Sequence, residues 1–397
     1  MPPIYLDFNS TAPLLSEVAE AMTAAQAANF ANPASQHSAG RAAHRQLEDA
    51  REAIAGLLGA NLIDRAPDRL IFTSGGTEAN NLALFGLADA SIHISAGEAT
   101  LGRIIISVIE HPSVTAAADH LARMGWQVDR LRANSDGLIC LTHLDELLAA
   151  NRDRPVPSLV SVMLANNETG AIQPIAEVVR RCQPLGIPVH TDAVQAAGKI
   201  PIDFRALGVS AMSVAPHKFG GPRGIGALIL KHGITITPTL YGATQQGGIR
   251  PGTESVALPI GFLTALRMWT RERKRLSAHL MSLRDQLEAG IRSIMPLAVV
   301  NGADAPRLPH TSNIAFLGHD RQALFMALDL AGICCSTGSA CASGSSEPSP
   351  TLVAMNLSRT IIESSLRFSF GPSTTAEEIN AALARIAQIV AAIPWPI

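Results

Sequence analysis

The chain has 397 residues, with 31 Lys and Arg against 33 Asp and Glu for a net charge of −2, and at about 150 residues per domain it holds material for two or three domains. That balance excludes the cationic footprint of a nucleic-acid or membrane-surface protein, while 47 % hydrophobic residues with only 4 % aromatics describe a large core of Ala, Leu, Ile and Val and exclude disorder. With no apolar run near the ~18 residues of a membrane span, no signal-peptide pattern after Met1 and five cysteines, too few and too odd for a disulfide framework, the chain reads as cytoplasmic with reduced thiols.

In chain order, short apolar runs predict strands at Leu70–Thr73, Arg103–Ile109, Gln127–Leu131, Leu159–Ala165, Pro188–Thr191, Ala211–Val214 and Gly226–Leu230. Helical patterns at Glu78–Ala88, Pro112–Met124 and Ile175–Cys182 fall between them, which is the alternation of a parallel sheet flanked by helices. A long helical pattern runs from about Val256 to Ser293, with a break expected near Ser277; its Arg271-Glu-Arg-Lys-Arg275 run reads as a solvated face. After Met295 the strand-like runs Asn313–Phe316 and Leu366–Phe370 alternate with shorter helices, the pattern of a smaller α+β domain. Residues 335–350, dense in Gly, Ser and Pro, read as a mobile loop.

In an open parallel sheet ligands bind beyond the carboxyl ends of the strands. Glu110-His111, Asn166-Asn167-Glu168, Asp192 with Gln195, and His217-Lys218 each follow directly on a predicted strand, and together they describe a site. The turn Thr73-Ser-Gly-Gly-Thr-Glu78 opens a helix whose free N–H groups suit a phosphate, although such turns are also common structural features. Lys218 is one of only four lysines (with Lys199, Lys231 and Lys274) and faces a loop with four glycines. Partial desolvation there suits Schiff-base formation with an aldehyde, the alternative being a surface turn.

Asp192 closes an apolar strand and needs a charged or hydrogen-bonded partner, such as a pyridinium nitrogen or a helix N-terminus. His111 is placed either to stack on a ring and shuttle protons or to serve as a structural cap. Cys341, between small residues in the loop, is a thiol that can be carried to a substrate. Cys334 and Cys335 read as packing residues, and Cys140 and Cys182 as core.

These segments, together with Tyr5-Leu-Asp7, Asn32-Pro-Ala-Ser35, Arg250-Pro-Gly-Thr253, Gly338-Ser-Ala-Cys341 and Leu366-Arg-Phe-Ser369, occur in the order found in the cysteine desulfurases. The sequence resembles the NifS/IscS-type, long-loop class of these fold-type I enzymes, which depend on pyridoxal 5'-phosphate (PLP). The match runs from about Ile4 to Ile379. The resemblance implies an α/β fold, with a large domain (16–258) built on a mostly parallel seven-stranded sheet. A small α+β domain (1–15 and 259–397) would carry the catalytic-cysteine loop 335–350.

It also implies roles. Lys218 would hold PLP, Asp192 would pair with the pyridine nitrogen, and Gln195 and Asn167 would contact the ring hydroxyl. His111 would stack on the ring and move protons. Gly76, Thr77 and His217 would bind the phosphate, with Thr253 reaching it from the neighbouring subunit of a homodimer. Arg367, with Asn32, would hold the carboxylate of L-cysteine. Cys341 would take the sulfur as a persulfide, release alanine, and pass the sulfur to an acceptor or iron–sulfur scaffold protein.

No resident metal site is expected, Cys341 serving at most as a transient cluster ligand. The rival readings are a selenocysteine lyase or another enzyme of the fold, and a non-catalytic sulfur-transfer subunit; the presence of Lys218 and Cys341 argues against the last. Two positions depart from the pattern. Ala215 stands where relatives usually carry a serine, removing a hydroxyl from the phosphate site, and Gly247 stands where an arginine is common. The chain also stops at Ile397, without the C-terminal extension by which longer relatives meet a scaffold, which leaves the acceptor open.

Overall fold

A computed structural model describes residues 3–89, 93–95, 98–100, 102–149, 155–338 and 347–392. Its strands are β1 (Ile4–Tyr5), β2 (Arg69–Thr73), β3 (His93–Ser95), β4 (Glu98–Thr100), β5 (Arg103–Ser107), β6 (Gln127–Leu131) and β7 (Pro157–Ser161). They continue with β8 (Val189–Asp192), β9 (Ala211–Val214), β10 (Gly226–Leu230), β11 (Val299–Val300), β12 (Thr311–Ala315), β13 (Ile333–Cys334) and β14 (Ser365–Ser369).

Seven of these form the main sheet, in the order β2-β10-β9-β8-β7-β5-β6. Only β10 runs antiparallel to its neighbours, so the sheet is mostly parallel as expected. All five β5 side chains are buried, as required of a strand covered on both faces. Ile104 and Ile106 join a cluster with Leu82 and Leu121, whereas Ile105 packs with Leu47 and Ile54 on the other side.

Helix α1 (Ser16–Ala28), α2 (Ser38–Leu57), α3 (Gly76–Asp89) and α4 (Pro112–Arg123) precede the rest of the sheet or thread through it. α4 starts where Pro112 occupies the first turn and the His111 ring accepts from Ser113 N. The long helix is unbroken from Ala257 to Ile294, correcting the break expected near Ser277. Serine is only a modestly poor helix former, and buried Leu276, Leu280 and Leu283 keep the apolar stripe continuous past it. This helix abuts α1 through Gly261 against Met22, and the C-terminal helix Ala376–Ala392 through Gly290 against Leu383.

A second sheet, β11-β12-β14, is antiparallel, and β1 pairs in parallel with β13. Two details of the reading change. The run 335–350 is anchored at both flanks: Ser336 exchanges backbone hydrogen bonds with Arg367, and Cys335 and Ser349 are buried. Composition marks that stretch as a loop, but pairing with β14 fixes its start. Cys140 is half-buried at a helix N-terminus rather than in the core, while Cys182 is buried. Among the described residues no helix is long and apolar enough to cross a membrane, and no cluster of metal-ligating side chains occurs.

Candidate active site

The carboxyl ends of β2, β5, β7, β8 and β9 meet at a cavity of about 220 Å³, whose walls include Gly76, Thr77, His111, Asn167, Asp192, Gln195, His217 and Lys218. Eight residues expected at a cofactor site from separate segments are thus together. Ser10, Asn80, Ser113 and Met163 also line it.

Asp192 Oδ1 accepts from Val194 N at 2.9 Å and Oδ2 from Asn80 Nδ2 at 2.6 Å. Asn80 Nδ2 also donates to Ser113 Oγ at 2.8 Å, and Ser113 Oγ lies 2.8 Å from His111 Nδ1. Carboxylate and imidazole are therefore linked through two neutral side chains. Because His111 Nδ1 accepts from Ser113 N at 3.1 Å, the proton of the neutral ring sits on Nε2. Burial and the Lys218 charge hold the His111 pKa below its usual value, with Asp192 acting the other way. His217, its Nδ1 3.2 Å from Thr11 Oγ1, is pushed down to about 3 by burial and by Lys218. Both rings are neutral at pH 7.

Lys218 Nζ donates to Asn9 O at 2.6 Å and Ser10 O at 2.9 Å. Gln195 Nε2 donates to the same Asn9 carbonyl at 3.0 Å. At the other end of the cavity α3 begins at Gly76, where an added Cβ would stand 2.9 Å from Val194 Cγ2 and 3.6 Å from Ala215 Cβ. The glycine thus keeps this helix start open, and Ala215 faces it. Ser213 does not substitute for the missing hydroxyl: it points to the other face, its Oγ 2.9 Å from His190 Nε2. Glu78 in the first turn accepts from Ser74 N at 2.7 Å and from Arg250 Nε at 2.9 Å.

Arg367 is 2 % exposed and lies behind the cavity wall. Nη1 donates to Asn167 O at 3.0 Å and Gly338 O at 3.1 Å, and Nη2 to Asp7 Oδ1 at 2.7 Å and Ser10 Oγ at 2.9 Å. Among the described residues its buried Nε has no partner. Glu168 is buried and accepts from Ser349 Oγ at 2.5 Å; burial raises its pKa.

Besides Arg367, two expected residues lie away from this cavity, one of them Thr253, which is expected to serve a neighbouring subunit. Thr253 is exposed, and Asn32 caps an exposed turn between α1 and α2 by accepting from Ala34 N at 2.9 Å. Cys341 lies outside the described residues. Sequence reasoning missed Asn80, Ser113, Asn9 and Ser10. Asn80 has a local signal, since it lies one helical turn after Gly76 and shares its face. Asn9 and Ser10 have none, because they arrive from the chain start.

The chain belongs to the aminotransferase class-V family, whose model matches residues 4–382. Within that family its similarity is to cysteine desulfurases, as the motifs imply. It is 42 % identical to an IscS-like cysteine desulfurase of Mycobacterium tuberculosis, covering 96 % of this chain and 94 % of that one. It is 38 % identical to the cysteine desulfurase NifS of Azotobacter vinelandii, covering 98 % and 93 %. A solved NifS-like protein of Rickettsia africae superposes with a TM-score of 0.86 at 32 % identity, covering 98 % and 99 % of the two chains. The expected fold is thereby established over nearly the whole sequence.

Proposed function

We propose that the protein is a PLP-dependent cysteine desulfurase that converts L-cysteine to L-alanine and carries the sulfur outward on Cys341. The supporting observation is the convergence of the open α3 start, Asp192, His111 and Lys218 on one cavity. These donors suit PLP in kind: free N–H groups for a phosphate, a buried carboxylate for a pyridinium, and an amine for an aldehyde. When bound, the cofactor supplies an aldehyde that an amine can engage and a ring that takes up electron density from the substrate α-carbon.

The chain's residues then divide the work. Asp192 is held charged side outward by Asn80 and Val194 N. Lys218, seated on two carbonyls, holds the cofactor and is placed to take or return a proton at its Nζ. Neutral His111, with Nδ1 engaged by Ser113, presents Nε2 to the cavity for stacking and proton transfer. Gln195 and Asn167 would contact the ring hydroxyl of the bound cofactor, and Gly76, Thr77 and His217 would hold its phosphate. Arg367, with its free Nε, is the anchor for the substrate carboxylate. The Cys341 thiolate forms a bond to the substrate sulfur as the carbon–sulfur bond breaks with its electron pair on carbon. A proton then completes alanine and leaves a persulfide on the enzyme.

The same reading makes the protein a cytoplasmic homodimer in which Thr253 serves the partner's site. The large domain is 16–258 and the small one is formed by 1–15 and 259–397, and an iron–sulfur scaffold or related protein accepts the sulfur.

The test is alanine release from L-cysteine by PLP-loaded protein with a thiol reductant, beside Cys341→Ser. Alanine formation that disappears in the variant is expected. Equal release by both proteins would remove Cys341 from the reaction, and none from the loaded parent would overturn the activity.

A further inference from the structure

Lys199 has no part in the roles above, yet it is 3 % exposed and lies directly behind the site. Its Nζ donates to Gln195 Oε1 at 3.4 Å. The other end of that amide donates to Asn9 O at 3.0 Å, the carbonyl on which Lys218 Nζ rests at 2.6 Å. Asn9 is fixed in turn by its side chain, which donates to Thr311 Oγ1 at 2.9 Å and Asn167 O at 3.1 Å. Buried Lys199 and half-buried Lys218 therefore share one short relay.

The charges that act on Lys199 are those of Lys218 and Arg367, both cationic. A buried ammonium facing cations rather than a carboxylate is strongly unfavourable, and an apolar side chain of similar length is a better local choice. Residues that break a local rule of this kind concentrate where function requires them.

We propose that Lys199 is a positioning residue for Lys218: it orients the Gln195 amide that shares the Asn9 carbonyl with Lys218, and so fixes the acceptor on which the Lys218 amine rests. The surroundings agree. His310, whose buried Nδ1 has no partner among the described residues, is held neutral by burial and by Lys199. Arg367 is engaged by Asp7. Lys218 also acts on His111 and His217, and His217 further feels Lys199 and Arg223. Asp192, the anion acting with Lys218 on His111, already accepts from Asn80 and Val194 N. Burial and the two cations hold Lys199 itself well below the usual lysine range.

This inference rests on Lys218 being the cofactor lysine, which borohydride reduction of PLP-loaded protein and peptide mapping test separately. The inference itself is tested on the full chain freed of PLP, labelled with ¹³C at the lysine side-chain ends. Four lysines give four signals, and exposed Lys231 and Lys274 act as internal references. Lys199 is expected to titrate well below both references. In Lys199→Met the Lys218 signal is expected to change its chemical shift by more than the references do, because the Asn9 carbonyl beneath it is no longer held through Gln195, and Lys199→Arg is expected to restore it. Lys199 titrating with the exposed lysines overturns the proposal, whether or not the variants fold. A Lys218 signal that does not move in a folded Lys199→Met, whatever its melting temperature, overturns it as well.

Discussion

Asn80 donates to Asp192 at 2.6 Å with the same amide nitrogen that donates to Ser113 at 2.8 Å, so one side chain on α3 ties the end of β8 to the start of α4. Removing it leaves a buried carboxylate oxygen without its donor. Asn80→Ala is expected to destabilise the fold by about 1–3 kcal/mol, measured by urea unfolding, and to weaken PLP binding measured by absorbance. Unchanged values for both would show that Asp192 does not depend on this contact.

The phosphate end offers a gain-of-function test. Ala215 faces the open start of α3, and a serine there places a hydroxyl where relatives usually have one. Ala215→Ser is expected to tighten PLP by about 2- to 10-fold, the worth of one added hydrogen bond. Fluorescence titration of the cofactor-free chain measures it; equal or weaker binding refutes the placement of the phosphate at this helix.

Glu110 gives a pH signature. Burial pushes its carboxyl up to about 8, with Asp192 adding to the rise and hydrogen bonds from Ser107 and Met163 N opposing it. The folded chain keeps a proton that the unfolded chain loses from about 4.5 upward, so stability falls as pH rises through this window and levels off past about 8. Glu110→Gln mimics the protonated form, and its urea midpoint is expected to vary less with pH over that range. A midpoint that tracks the parent's would show that Glu110 ionises freely.

Gly338 has φ +111°, and a Cβ there would stand 2.5 Å from Glu168 Oε2. Gly338→Ala is expected to slow alanine formation while leaving PLP absorbance unchanged, because the change displaces the backbone that leads towards Cys341 and not the cofactor wall. Strain of this kind costs on the order of 1–3 kcal/mol. Full activity in the variant contradicts the argument.

The parts of the site legible in the sequence are those in which chemistry and backbone position are local. Glu110-His111, Asp192 and His217-Lys218 each end an apolar run, so the strand period and the polar break can be read together. Asn9, Ser10 and Lys199 carry no such mark: they reach the site only through packing between the chain's first residues, the turn after β8 and the second sheet. The two-residue strands β1, β11 and β13 were equally invisible, since pairs of apolar residues have no period. Strand boundaries moved by one to four residues where regular pairing gives out, as after β7, where Val162 N and Leu164 N still donate to His190 O and Asp192 O while Met163 N turns to Glu110 and the segment builds the cavity wall.

The seat of Lys218 also sets a constraint in time. Its two acceptors belong to residues 9 and 10, and Asn9 N is held by Ser369 Oγ at 2.9 Å, 360 positions later. β2, which leads to the phosphate end, pairs with β10 through contacts such as Thr73 with Gly226. Contacts of such long sequence separation form late. A chain emerging from the ribosome therefore cannot complete the seat of Lys218 until Ser369 has been made, and on the role proposed for that lysine, capture of an aldehyde would report that this point has been passed.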